Sequence, residues 1–163
     1  MLNEQYHRIG KGGKKYWGKK GAGILFTDGD KVLLLRRKGG GAADHAGKWG
    51  IPGGKTEGNE SPIETAKREC KEEIGSYEGT RIAQFDEVDG HHKFTVFVFK
   101  IDKPFDVSIS KEHDKSEWIP IAELRSYPLH PEFEKHLPYY LKAIRQKISH
   151  SFAEWLIIRN ASY

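Results

Sequence analysis

A single cysteine, Cys70, excludes an intrachain disulfide and any zinc site built from cysteines. No run of about 18 apolar residues occurs, and no apolar stretch of the secretion-signal kind lies near the start. Neither a membrane span nor export is therefore indicated, and a cytoplasmic location is the expectation. Proline is too sparse, at 7 residues, to build a proline-rich linker, and no internal repeat or low-complexity tract divides the chain. A length of 163 residues then fits one domain with a core that needs no staples, as a monomer or homodimer.

Acid is scarce at the start. Arg8, Lys11, Lys14, Lys15, Lys19 and Lys20 are opposed by Glu4 alone, so the net charge of +4 is concentrated there. Gly10, Gly12, Gly13 and Gly18 interrupt the same stretch. Residues 1–20 are expected to be a flexible basic lead-in whose end is packed down by Tyr16 and Trp17, with the domain at residues 21–163. The alternative is that the basic head steers a polyanion such as RNA.

Beyond that head, apolar runs at Ala22–Phe26 and Val32–Leu35 flank Asp28-Gly29 and predict a hairpin. Arg36 and Arg37 follow directly, ahead of a loop opened by Gly39, Gly40 and Gly41. A second hairpin is expected from Arg81–Val88 and Phe94–Phe99 around Asp89-Gly90, with His91 and His92 at its tip. A short strand is expected near Val107–Ile109 and a helical turn at Ile121–Leu124. The last third reads as a helix: Leu137, Leu141, Ile144, Ile148, Phe152 and Trp155 recur at helical spacing, with Pro138 near the start.

The chemistry is concentrated between Gly54 and Ser76. Ser61, Pro62 and Glu64 have the order of a capping box with proline at the first helical position. Ile63, Ala66, Cys70 and Ile74 supply a buried stripe, and Gly75 fits the stop. On that helix Glu69, Glu72 and Glu73 fall at i, i+3 and i+4, so their carboxylates share one side. Three carboxylates crowded together repel one another unless a hard cation sits among them. An acidic helix face is also what an ordinary solvated helix presents.

The spacing of Gly54, Glu60, Arg68-Glu69, Glu72-Glu73 and Gly75 resembles the signature of the Nudix hydrolases. Seven fixed residues would coincide on the order of once in 10⁸ starting positions at about 7 % usage each. Cys70 and Ser76 depart from it, both at packing positions. The resemblance implies an α/β fold, an α/β/α sandwich with a mixed sheet and a loop–helix–loop catalytic motif. It implies hydrolysis of a nucleoside diphosphate linked to another group, with Mg²⁺ or Mn²⁺ as cofactor. Carried over by position, Glu69, Glu72 and Glu73 become metal ligands, with Glu69 or a neighbour such as Glu72 also available as the catalytic base and the carbonyl of Gly53 completing the coordination. Arg68 would orient Glu69, Glu60 would support the loop, and Gly54 would permit its turn. Arg36 and Arg37 are the candidates for phosphate contact.

The stretch Lys111–Trp118 is similar to the matching part of MutT-type nucleoside triphosphate pyrophosphohydrolases, which makes a nucleoside triphosphate or related nucleotide the expected substrate. Where those enzymes carry an asparagine that reads oxidised guanine, this chain has His130-Pro131. A 5′-RNA pyrophosphohydrolase, a dinucleoside polyphosphate hydrolase and a non-catalytic nucleotide sensor are the alternatives. A further carboxylate is expected from the loop before Trp118. Glu112 stands at the offset of the MutT-type loop carboxylate, and Glu117 is the other choice.

Overall fold

The computed structural model describes the backbone of residues 5–9, 19–39 and 45–161, and the side chains of 19–39 and 45–147. Tyr16, Trp17, Gly40 and Gly41 lie outside the described residues, as do the side chains of Ile148, Phe152 and Trp155. The strands are β1 (Gln5–Ile9), β2 (Lys20–Thr27), β3 (Lys31–Arg37), β4 (Trp49–Gly50), β5 (Gly53–Lys55), β6 (Thr80–Asp89), β7 (His92–Lys100) and β8 (His113–Pro120). The helices are α1 (Pro62–Ile74) and α2 (Pro131–Ala161), with a 3₁₀ turn at Ile121–Ser126. One mixed sheet runs β1-β6-β7-β2-β3-β4, with β5 paired to β2 and β8 paired to β3.

Apolar runs in β2, β3 and β7 are continuous because both faces of the sheet are covered. Leu25, Val32, Leu34, Val96 and Val98 face one core, which α2 closes with Phe133, Leu137, Tyr140 and Ile144. Their neighbours Ile24, Phe26, Leu33, Leu35, Phe97 and Phe99 face the other core, which α1 closes with Ala66, Cys70 and Ile74. The α/β/α layering is thus written in the alternation of three strands.

The second hairpin forms as expected, β6 pairing antiparallel with β7 from Thr80↔Lys100 to Asp89↔His92. The first does not close into a ladder. β2 and β3 meet only at Thr27↔Val32, because β5 occupies the edge of β2 at Gly21–Gly23 and β3 turns away to pair with β4 and β8. The strand expected near Val107–Ile109 is also displaced. That segment is irregular, and its amides serve α1 instead: Ser108 N–H donates to the Ile74 carbonyl at 3.1 Å and Ser110 N–H to that of Glu73 at 3.0 Å. These bonds satisfy carbonyls that a helix end leaves unpaired. The strand begins later, at His113. Within the basic head, Gln5–Ile9 differs from the flexible lead-in expected: it pairs in parallel with Ala83–Glu87 on the free edge of β6. The final helix starts at Pro131, in the first-turn position that proline suits, and so contains Pro138.

Candidate active site

α1 is held in register by its ends. Ser61 caps it, its Oγ accepting from Glu64 N–H at 3.3 Å and donating to the Glu64 carboxylate at 2.9 Å. Gly75 ends it with φ 79°, a conformation glycine adopts without strain, its N–H donating to the Lys71 carbonyl. Cys70 is fully buried on the inner stripe, and burial pushes its thiol well above the usual range. Ser76 is exposed just past the helix, where a polar residue costs nothing.

Registering α1 brings Glu69 against the backbone of β5. A Cβ at Gly54 would overlap the Glu69 carboxylate, so a side chain here would displace that carboxylate from its place. Arg68 locks the same carboxylate from the other side, Nη1 donating to Glu69 Oε1 at 2.9 Å. Its remaining donors hold Glu60 at 2.8 and 3.0 Å and the Lys55 carbonyl at 2.8 Å. Glu60 in turn accepts from Glu57 N–H at 2.7 Å, closing the loop between β5 and α1. One guanidinium therefore ties strand, loop and helix together, and its pKa is raised chiefly by the bond to Glu60. Arg68 Nη1 also reaches the Glu72 carboxylate at 3.4 Å. Glu72 is exposed and does not line the cleft.

Glu69 and Glu73 do line it, together with Glu112 from the turn before β8, in a cleft of about 1080 Å³. Glu73 is 5 % exposed. Burial, with the charges of Glu69 and Glu112 adding, pushes its carboxyl up to about 8. Burial likewise raises Glu69, against the pull of Arg68. Gly53 sits at the floor, its N–H directed at Glu73 Oε2 at 3.4 Å. Arg37, Lys48 and Lys55 line the same cleft and supply its positive side.

The two arginines of β3 separate. Arg37 faces the cleft, whereas Arg36 is bound in a fork by Asp114 at 2.8 and 2.9 Å and lies over the Trp49 ring. Arg36 is thus not brought to the phosphate position expected for it. Neighbouring residues of a strand point apart, and a register shift between Arg36 and Arg37 accompanies the divergence. The loop carboxylates separate as well. Glu112 reaches the cleft, while Glu117 accepts from Tyr127 Oη at 2.9 Å and does not line it.

Several cleft residues escape a reading of the sequence. Glu87 on β6 is 7 % exposed, accepts the Tyr140 hydroxyl and lies 3.3 Å from His136 Nδ1. His136 Nδ1 donates to the Glu132 carbonyl at 2.9 Å, since a nitrogen facing a carbonyl must carry the hydrogen. Its pKa is raised by the Glu87 bond, and that of Glu87 is raised by burial. Among the described residues, Glu87, Glu132 and His136 are the group of three whose ligand atoms all lie within 4.8 Å of one another. Two signals pointed there: the alternation Ala83, Phe85, Glu87 on an inward face, and His136 and Tyr140 one helical turn apart. His130 also lines the cleft, its ring 4.4 Å from that of His45.

The NUDIX domain profile matches residues 18–141. A Mycobacterium tuberculosis protein named "Putative 8-oxo-dGTP diphosphatase 3" is 32 % identical over 139 residues, covering 77 % of this chain and 63 % of that protein. The chain thus spans less than two thirds of that relative's length. The "Uncharacterized Nudix hydrolase YvcI" of Bacillus subtilis is 31 % identical over 127 residues, covering 73 % of this chain and 76 % of that one. Among solved structures, a NUDIX hydrolase from Nitrosomonas europaea superposes with a TM-score of 0.64 at 23 % identity, over 78 % of this chain and 73 % of that one. A C. elegans Ap4A hydrolase complex gives 0.57 at 21 % identity, over 83 % and 98 %. The likeness to these two structures is one of fold.

Proposed function

The chain belongs to the Nudix hydrolase family, and on that premise we propose that it is a divalent-cation-dependent pyrophosphohydrolase acting on a nucleoside triphosphate or related nucleotide in this cleft. The observation that carries the reading is the convergence of Glu69, Glu73 and Glu112, from two separate elements, on one cleft that Arg37, Lys48 and Lys55 also line.

The residues present fit a hard cation. The donors are carboxylate oxygens, which suit Mg²⁺ or Mn²⁺. One of them, Glu73, is raised chiefly by burial, with the charges of Glu69 and Glu112 adding to it, and a cation between them offsets both. Glu69 and Glu73 would hold the ion, with Gly53, which lines the same cleft, offering its carbonyl, while Glu72 stays outside on the Arg68 nitrogen it shares with Glu69. A bound cation supplies neutralisation of the phosphate charge and a lowered pKa for attacking water.

The chain's own groups do the rest. Arg37, Lys48 and Lys55 bind the phosphate oxygens and orient the anhydride. Arg68 keeps Glu69 in one rotamer, so the ligand geometry is set before substrate arrives. Glu112, exposed at the cleft, takes the proton from water as oxygen attacks phosphorus and the P–O anhydride bond breaks. Opposite, Glu87, His130 and Tyr140 line the remainder of the cleft, large enough for the nucleoside. The name of the Mycobacterium relative supports a nucleoside triphosphate as substrate. A nucleotide panel with Mg²⁺ and with Mn²⁺, products identified by mass, tests the reading. Metal-dependent release of a nucleoside monophosphate is expected, and an inert protein across the panel would refute it.

A further inference from the structure

His113 opens β8 beside Glu112, and nothing above gives it a role. Its position is fixed from three directions. Ser110 N–H is pinned to the carbonyl of Glu73 itself, His113 N–H donates to the Ser110 carbonyl at 3.3 Å, and Lys38 N–H donates to the Glu112 carbonyl at 2.9 Å. The register shift between β3 and β8 falls here, with His113 opposite Arg37. The result is an imidazole turned inward over the end of α1, its side chain 12 % exposed.

There it is polar without a partner. Among the described residues, His113 Nδ1 is buried without a hydrogen-bond partner, and the nearest carboxylate oxygen is Glu73 Oε2 at 4.0 Å. That oxygen is itself poorly served, accepting among the described residues only the long 3.4 Å approach of Gly53 N–H. Two under-satisfied buried groups thus face one another, one a potential donor and the other an acceptor. A leucine would fill the same space without burying an orphan nitrogen. A shift of about 1 Å closes the gap to an ordinary hydrogen bond.

We propose that His113 is a positioning residue that acts through Glu73, its Nδ1–H fixing the Glu73 carboxylate in the orientation that receives the divalent cation. The proposal rests on the cleft being the cation site described above. Groups that hydrogen-bond a metal's carboxylate ligands set ligand orientation, and their loss typically weakens metal binding by about 10- to 100-fold.

Side-chain geometry provides the test. The amide nitrogen of asparagine falls near the place of histidine Nδ1, that of glutamine near Nε2, and leucine offers no donor. The full chain, free of nucleotide, is titrated with Mn²⁺ and bound metal is read by electron paramagnetic resonance. Thermal unfolding is followed in parallel in EDTA. His113→Leu and His113→Gln are expected to weaken Mn²⁺ binding by about 10- to 100-fold, while His113→Asn retains most of the affinity. Unfolding of the Leu variant in EDTA should be unchanged or higher, because an orphan polar atom has gone. Equal affinities for the Asn and Leu variants, whether both high or both low, would overturn the proposal. So would a Leu variant whose melting temperature falls in step with its affinity. If the Leu variant does not fold, the Gln and Asn variants decide alone. Wild-type protein that binds no Mn²⁺ would refute the cation site itself, an outcome distinct from failure of His113.

Discussion

Glu73→Gln should make the metal-free protein more stable at alkaline pH, an unusual outcome for a residue in an enzyme's cleft. In the folded chain the Glu73 carboxyl is pushed up to about 8 by burial, reinforced by Glu69 and Glu112, against an ordinary value of 4.5. Between those values the folded protein holds a proton that the unfolded chain has released. Glu73's contribution is therefore complete below pH 4.5 and is lost as pH rises toward 8. At about 1.4 kcal/mol per pH unit, the loss is of order 5 kcal/mol. Glu73 is 5 % exposed, so solvent screening takes little from that figure. Glutamine has no charge to bury, and its amide oxygen can still accept from Gly53 N–H. Relative to wild type, the variant should gain with rising pH, reaching roughly 10–20 °C in melting temperature for a chain of this size. Thermal unfolding in EDTA from about pH 5 to about pH 9 measures it. Shifts at Glu87 and His136 are common to both proteins and cancel in the difference. With Mg²⁺ present the order should reverse at alkaline pH, since only wild type offers the ionised ligand. Curves for the two proteins that run parallel across the range would refute the burial argument.

Glu112→Gln should lower kcat by about 10²- to 10⁴-fold with a smaller effect on KM, while Glu117→Gln stays close to wild type because Glu117 serves Tyr127. A collapse in the second and not the first would exchange their roles. Gly54→Ala forces a methyl group into the Glu69 carboxylate and should cost about 1–3 kcal/mol together with most of the activity. Urea unfolding and steady-state kinetics on one preparation check both. Tyr140→Phe removes a donor from buried Glu87 and should destabilise by about 1–3 kcal/mol, readable by the same unfolding assay.

What the sequence made legible was local. The S-x-x-E cap, the Ala66–Cys70–Ile74 stripe and Gly75 specify α1 within 15 residues, so neither partner strands nor tertiary contacts were needed to place it. Arg68 and Glu60 are also close in sequence, and their bond follows once the helix forms. β5 was not legible, because a Gly-Gly-Lys strand carries no hydrophobic pattern and exists only by pairing with β2. β8 hid for a similar reason: HDKSEWIP is mostly polar, and its strand state comes from the exposed edge of β3. Glu87 and Tyr140 are 53 residues apart, and only the docking of α2 on the sheet makes them neighbours. That Arg36 and Arg37 point apart follows from strand alternation, but which of them is taken from the cleft depends on Asp114, which lies 78 residues from Arg36.

Hydrolysis in this cleft is expected to depend on a cation held by its carboxylates. Turnover of a nucleoside triphosphate in heavy-oxygen water, followed by mass spectrometry with Mg²⁺ and then with excess EDTA, tests it most directly. The expected products are a nucleoside monophosphate and pyrophosphate, with one heavy oxygen incorporated between them, and their formation should be abolished by EDTA and by Glu69→Gln. Turnover that persists undiminished in EDTA, or in Glu69→Gln with the metal supplied, would contradict it.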